Sequence, residues 1–291
     1  MLDAATVERV VRQVLAERLA KARPGEAAPF SASPAERAGE LPDIASREMR
    51  AEILVSHPHD SAALRRMKNS TSARIGIGRS GPRLNTRTLL LLRADHADAR
   101  DAVMTDVDAG LLERMGLFCI QTLCRNRDEH LTRPDLGRQF APETLQELRS
   151  RCQGAPRVQV YASDGLSSTA INANLENFLP ALADGLGRRG IEEGTRFFVR
   201  FGRVPAMDVV GQTLGADVVC VLIGERPGLG SANSMSAYLC FRPEVGMPEA
   251  RRTVISNIHA GGIPAVEAGA YTAEVIQKIL ESGKSGVDLK I

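Results

Sequence analysis

The sequence predicts an α/β protein with a Rossmann-like, mostly parallel sheet in its carboxyl-terminal domain, preceded by a mainly helical region and an amino-terminal amphipathic helix. From Pro156 onward, short apolar runs alternate with amphipathic segments, which is the pattern of right-handed βαβ units. Between Ile44 and Arg151 the apolar residues recur mostly at helical spacing. Residues 1–20 repeat valine and leucine every three or four positions, with charged residues between them.

These patterns divide the chain into four parts. Residues 1–20 form a targeting or docking helix, and residues 21–43 are rich in Ala, Pro, Ser, Glu and Gly, the composition of a flexible linker. Residues 44–151 are the mainly helical region, and residues 152–291 form the Rossmann-like domain. The apolar stripe of the first helix either packs on its own domain or docks on another protein, and we favour docking.

The elements of the carboxyl-terminal domain follow in order. Strands are expected where β-branched and aromatic residues form short runs, and helices where a longer amphipathic segment ends on glycine or begins near proline. The expected strands are 157–163, 195–201, 217–223, 236–241 and 252–258, and the expected helices are 167–190, 206–215 and 264–283.

The composition narrows the possible partners. A net charge of +2, 4% aromatic residues and no tryptophan argue against a nucleic-acid-binding protein, which needs a basic surface and stacking side chains. No apolar run approaches the ~20 residues that span a bilayer, and residues 1–20 lack the order of a signal peptide. The five cysteines show no standard zinc spacing, so we expect reduced thiols, mostly in the core, and no metal site.

The strand ends indicate where a ligand binds. In open α/β sheets, ligands bind beyond the carboxyl ends of the strands. Four such loops are rich in glycine and polar residues, and all should face one edge of the sheet: 163–168, 201–204, 224–230 and 256–262.

Several familiar catalytic patterns fit poorly. The glycines of "GIGRSG" at 76–81 match a dinucleotide fingerprint, but no convincing strand precedes them. Ser167 has two interpretations, a nucleophile in a Ser-His-Asp set with His259 and Asp164, or the N-cap of a long helix, which we favour. The "DHAD" segment at 95–98 mixes metal-ligand types, but a solvated helix face explains it better.

Glu225, in the loop "GERPGLG", raises a different question. An ionised carboxylate only accepts hydrogen bonds, so this loop suits a ligand that offers donors rather than a phosphate. The alternative is a structural ion pair of Glu225 with Arg203 or Arg226.

Seven segments together resemble the family of small (light) subunits of ethanolamine ammonia-lyase. In chain order they are "GRSGPR", "LLRADHADARDAV", "LTRPDLGRQF", "SDGLSS", "FFVRFGRV", "GERPGLGSANSMS" and "ISNIHAGGIPAVEA". The likeness runs from about Asn69 to Lys290, whereas residues 1–43 fit the family's layout but not its sequence.

The resemblance implies a subunit of a lyase that depends on adenosylcobalamin, a cobalt cofactor, and converts ethanolamine to acetaldehyde and ammonia. It implies a large catalytic subunit as partner, with the cofactor enclosed between the two chains and no activity from this chain alone. It also implies a cytoplasmic location inside a bacterial microcompartment, with residues 1–20 as the segment that targets the shell.

The same resemblance implies three cofactor-binding residues, Val204, Glu225 and Val254. Val254 stands where we expect cysteine in some relatives, so the apolar contact is preserved and the sulfur is not. No catalytic acid or base is expected on this chain. Two alternatives remain: a stand-alone α/β enzyme with a nucleotide cofactor, and a non-catalytic assembly protein.

Overall fold

A computed structural model describes residues 43–44, 46–71 and 73–290. The expected helix 1–20 and the expected linker 21–43 lie outside these residues, apart from Asp43. The helices are α1 (Arg47–Ala51), α2 (Ser61–Asn69), α3 (Thr86–Met104), α4 (Ala109–Arg114), α5 (Arg127–Thr132), α6 (Pro142–Arg151), α7 (Ser168–Gly187), α8 (Ala206–Leu214) and α9 (Ala265–Ser282). The strands are β1 (Arg79–Ser80), β2 (Arg83–Leu84), β3 (Phe118–Gln121), β4 (Val158–Ser163), β5 (Phe197–Arg200), β6 (Val218–Gly224), β7 (Met235–Phe241) and β8 (Thr253–Ile258).

One six-stranded sheet organises the α/β fold, with the strand order β3-β5-β4-β6-β7-β8. Strands β3, β5, β4 and β6 are parallel neighbours, whereas β7 is antiparallel to both β6 and β8. The sheet is therefore mostly parallel, as predicted, but mixed, because β7 is reversed. The physical reason is the short non-helical connection 225–234, because a parallel pair needs a longer crossover.

Two apolar layers cover the sheet on its opposite faces. Helices α7 and α9 pack on one face, against side chains of β4, β6, β7 and β8 that alternate with those pointing the other way. Helices α6 and α8 pack on the opposite face, over β3, β5, β4 and β6. Gly185 allows α7 and α9 to approach closely, since a Cβ there would lie 2.7 Å from the Cβ of Ala273.

The region 44–151 is mainly helical but also contains strands. β1 and β2 form a small antiparallel hairpin, and β3 is an edge strand of the main sheet, paired with β5. The short segment 118–121 between helical patterns gave no periodicity that would distinguish a strand from a buried turn. The two predicted regions thus share one sheet within the compact unit Ile44–Ile291.

The expectation that the "DHAD" segment is a solvated helix face is wrong for Asp95. Asp95 on α3 is 1% exposed rather than solvated, and its carboxylate receives Arg50 Nε at 2.8 Å and also contacts Arg74. Asp98 receives a second nitrogen of Arg50 at 3.0 Å. Ion pairs with Arg50 and Arg74 therefore fix the segment that precedes α3 against this helix. The sequence pattern did not predict these pairs.

The cysteines agree with the prediction. All five are free thiols, and four of them are buried. Burial raises the pKa of Cys220 to about 12, so this thiol stays protonated and acts as a small core side chain. In the part of the chain that the structure describes, none of the helices is both long and apolar enough to cross a membrane.

Candidate functional site

The four loops singled out from the sequence meet at one edge of the sheet, as predicted. The last residue of β4, Ser163, lies opposite Val199 of β5 and Ile223 of β6. Across the antiparallel part, Gly224 pairs with Met235, which pairs in turn with Ile258 at the end of β8. Because β7 alone runs in the opposite direction, β8 again ends at the same edge as β6. The end of β3, which sequence reasoning missed, lies there too.

The centre of this edge is the gap between β4 and β6. After β4 the chain crosses to β5 on one side and then to β6 on the other, which creates a topological switch point. Here glycines let two loops interlock. A Cβ on Gly165 would lie 2.3 Å from the Gly224 oxygen, and one on Gly224 would lie 2.0 Å from the Ser167 oxygen. The first glycine of "GERPGLG" therefore serves close backbone packing rather than a phosphate cradle.

The three predicted cofactor residues lie on the same side of the sheet. On β6, Val219, Val221 and Ile223 point toward α8, and two residues beyond Ile223 the alternation places Glu225 on that side. Tyr238 packs against the same apolar cluster, and it pairs directly with Val254 of β8.

Val204 joins this group from the turn before α8. It is partly buried and packs against the apolar cluster beneath α8. The alternation along β6, β7 and β8 thus places Glu225 and Val254 on one side of the sheet, and the packing of Val204 beneath α8 places it on the same side.

This side of the sheet is open beyond α8. Helix α8 covers β6, whereas the main α-helical contacts of β7 and β8, made by α7 and α9, lie on the other side of the sheet. Val254 is consequently 47% exposed, although it lies in the middle of a strand pair. We call the surface formed by the exposed Val254 and the partly buried Val204, Glu225 and Tyr238 the open face, with the buried Ser236 beneath it. An exposed apolar surface with few polar groups is typical of a ligand or partner site.

Glu225 is the carboxylate of the open face. Its backbone N–H donates to the Ser234 oxygen at 3.0 Å, and its Oε1 accepts the hydroxyl of Ser236. Among the described residues Glu225 forms no ion pair with Arg203 or Arg226: its Oε1 accepts from Ser236, and a guanidinium nitrogen of Arg203 donates to the His130 oxygen. Burial and then the negative charge of Glu225 raise the pKa of Tyr238. A carboxylate accepts several hydrogen bonds, so Glu225 can receive further donors from a ligand.

A buried polar network lies behind the switch point. Asp164 is 2% exposed, and its Oδ2 lies 3.3 Å from a guanidinium nitrogen of Arg127 on α5. Burial raises the pKa of Asp164 to about 6, although the charge of Arg127 acts in the opposite direction. His130 Nε2 lies 2.7 Å from the Gly165 oxygen and must donate to it. Burial, and next the charge of Arg203, lower the pKa of His130 to about 4, so the imidazole is neutral at pH 7.

The hypothetical Ser-His-Asp set is not assembled. Ser167 is the N-cap of α7, as favoured: its Oγ accepts the Ala170 N–H at 3.1 Å and donates to the Ala232 oxygen at 2.7 Å. The hydrogen-bond contacts of the His259 side chain are instead with Ser231, Asn257 and the N–H of Gly261.

Two other site types find no support in the described ranges. No group of three or more His, Cys, Asp or Glu side chains that could hold a metal ion occurs in them. In "GIGRSG", Gly76 and Gly78 precede β1, and Gly81 lies in the turn between β1 and β2. None of them lies in a strand-to-helix turn, so the segment is not a dinucleotide fingerprint.

The chain is similar over most of its length to one known family. Residues 61–290 match the family model described as ethanolamine ammonia-lyase light chain. The chain belongs to this family. It is therefore a subunit of a heteromeric lyase, and the small-subunit name of its relatives implies a larger partner chain.

Individual relatives of the chain agree with the family match. An ethanolamine ammonia-lyase small subunit of Clostridium tetani is 50% identical over 299 aligned residues, covering 100% of both chains. The small subunit of Clostridium perfringens is 51% identical over 250 residues, covering 86% of this chain and 85% of that one. The small subunit of Listeria monocytogenes is 49% identical over 252 residues, with coverage of 87% and 86%.

Proposed function

We propose that this chain binds adenosylcobalamin on its open face, encloses it against the large subunit, and thereby supports the conversion of ethanolamine to acetaldehyde and ammonia. The observation that carries the proposal is the common placement of Val204, Glu225 and Val254 on the α8 side of the sheet, which is exposed at Val254. The resemblance names these residues as cofactor contacts, and the strand order independently brings them together. We also propose that β5-β4-β6 with α7 and α8 is the Rossmann-like part of the domain.

The residues of the open face fit such a group in size and chemistry. One strand lies between β5 and β6 and one between β6 and β8, so the face extends over roughly 20 Å at about 4.8 Å per strand. Its apolar side chains suit a large flat macrocycle. Its one carboxylate suits the amide N–H donors that surround a corrin, and Glu225 is already oriented by Ser236.

When bound, adenosylcobalamin supplies the radical chemistry through homolysis of its cobalt–carbon bond. The residues of this chain bind, orient and exclude water. Val204 and Val254 provide apolar contact, and Glu225 accepts hydrogen bonds that fix the orientation. None of them is proposed as a catalytic acid or base. Enclosure between two subunits protects a reactive intermediate from solvent.

One experiment tests this function against the two alternatives. The chain is co-expressed with a large subunit, and ethanolamine-dependent aldehyde formation is measured with and without adenosylcobalamin. We expect activity from the pair and from neither chain alone. Turnover by this chain alone would support the stand-alone nucleotide-cofactor enzyme. A pair that assembles stably and forms aldehyde at the same rate with and without adenosylcobalamin would support the non-catalytic assembly protein.

We further propose that residues 1–20 target the enzyme to a protein-shelled microcompartment. The support is their amphipathic pattern and the linker-like composition of residues 21–43. A reporter fused to residues 1–20 should form foci in cells that produce the shell. A reporter that stays evenly diffuse in those cells would refute the targeting role.

A further inference from the structure

Asp164 is a buried carboxylate with no direct access to the open face. It follows β4 at the switch point and is 2% exposed. Its Oδ1 accepts the backbone N–H of Phe201 at 2.8 Å and lies 3.3 Å from the Ser163 hydroxyl, which donates to the Val199 oxygen at 2.8 Å. Its Oδ2 faces Arg127, which is itself held by Asp106 at 2.7 Å. Both oxygens are therefore committed to the protein and not to a ligand.

The contact with Phe201 supports an unusual backbone conformation. Phe201 has φ 60°, in the left-handed region that residues other than glycine rarely adopt. Its N–H is held by Asp164, and its carbonyl oxygen accepts the hydroxyl of Thr122 at 3.0 Å. Such a conformation persists only when the surroundings hold it in place, and it is often found at functional sites.

The turn that begins at Phe201 delivers Val204 to the open face. Gly202 packs so tightly on β4 that a Cβ would lie 2.4 Å from the Ser163 hydroxyl. The N–H of Arg203 then donates to the Gly137 oxygen at 2.8 Å. The turn that leads to Val204 is thus held at three successive residues, and Asp164 supplies the acceptor for the Phe201 N–H.

We propose that Asp164 is a positioning residue for the open face. Asp164 holds the turn 201–204 so that Val204 lies on the same side of the sheet as Glu225 and Val254. The inference rests on the proposed function of that face. Asp164 is buried and would not touch the ligand. Its loss should lower the affinity for cobalamin without affecting folding or subunit assembly.

The test compares two substitutions of Asp164 in the complex with the large subunit. Asp164→Ala removes the acceptor for the Phe201 N–H, whereas Asp164→Asn retains an oxygen acceptor and loses only the charge. Cobalamin is titrated at pH 8, where the carboxylate of the parent chain is ionised, and binding is followed by visible absorbance. We expect Asp164→Ala to weaken binding at least about 10-fold and Asp164→Asn to recover most of that loss. Co-purification of the large subunit should be unchanged for both.

Asp217→Ala is the matched control. Asp217 precedes β6 at the opposite edge of the sheet and pairs there with Arg242 at 2.8 Å, so its loss should leave cobalamin affinity unchanged. If Asp164→Ala does not fold, Thr122→Val tests the same turn by removing the other hydrogen bond to Phe201, with a loss of at least about 3-fold expected.

The outcomes separate this inference from the proposed function. A parent complex that binds no cobalamin contradicts the proposed function itself. A parent complex that binds cobalamin while Asp164→Ala, or Thr122→Val in its place, binds it equally well overturns the positioning role. Equal weakening by Asp164→Ala and Asp164→Asn also overturns it, because the charge and not the contact with Phe201 would then matter.

Discussion

Replacing Val254 by arginine is expected to reduce the affinity of the two-subunit complex for adenosylcobalamin by roughly 100-fold or more. Val254 lies on the edge strand β8, at one end of the open face, where it pairs with Tyr238 and is 47% exposed. A guanidinium there is solvated in the free chain but loses water without a partner once an apolar ligand surface covers it. The fold should therefore survive while binding fails. The measurement is a cobalamin titration of the purified complex, followed by visible absorbance.

Two further variants make the Val254 experiment specific. Val254→Cys keeps a small apolar side chain and should stay within about 3-fold of the parent, since cysteine packs as a small hydrophobe. Val266→Arg introduces the same charge at a 55% exposed valine of α9, the helix that covers the opposite face of the sheet, and should leave affinity unchanged. If Val254→Arg and the parent bind cobalamin with equal affinity, Val254 is not part of the binding site.

The same titration tests the carboxylate of the open face. Glu225→Ala should weaken cobalamin binding by about 10-fold, because hydrogen bonds to a charged acceptor contribute about 1.5–3 kcal/mol. Assembly with the large subunit should not change. Glu244→Ala, at an exposed glutamate in the loop after β7, is the control. Unchanged cobalamin affinity in Glu225→Ala would refute the assignment of this residue.

Gly224→Ala is expected to destabilise the folded chain by about 3 kcal/mol, at the upper end of the usual cost of overpacking. The added Cβ would lie 2.0 Å from the Ser167 oxygen and 2.5 Å from the Asp164 oxygen, and both are backbone atoms that cannot rotate away. The loops after β4 and β6 would have to separate. Thermal unfolding of the full-length chain, followed by circular dichroism, should show a Tm lower by roughly 6–12 °C.

Gly187→Ala provides the contrast for Gly224→Ala. Gly187 is the last residue of α7, and a Cβ there would meet no atom within 4 Å. Alanine at that position should change the free energy of unfolding by between zero and about 1 kcal/mol in the stabilising direction. If both alanine variants unfold at the parent temperature, the close packing of the two loops does not limit stability.

Local patterns in the sequence predicted most of the carboxyl-terminal elements. The run "DVVCVLI" forms most of β6, and the long segment after Ser167 forms α7, as predicted. Both were predictable because the periodicity of a strand or helix can be recognised from consecutive residues. The same reasoning placed Glu225 just beyond a strand end, which is correct. It failed at β3, whose segment is too short to show a period, and at Asp95, whose partners Arg50 and Arg74 are distant in sequence.

The sequence by itself determined the α/β class, the N-cap at Ser167, the burial of most thiols and the four loops that lie at one edge of the sheet. Only the tertiary structure decided which of those loops are neighbours and which side chains share a face. The order of β5, β4, β6, β7 and β8, the reversal of β7, and the register between Tyr238 and Val254 place the three cofactor candidates on one open surface. The physical reason is that periodicity is a property of adjacent residues, whereas strand pairing and register depend on packing between segments far apart in the chain.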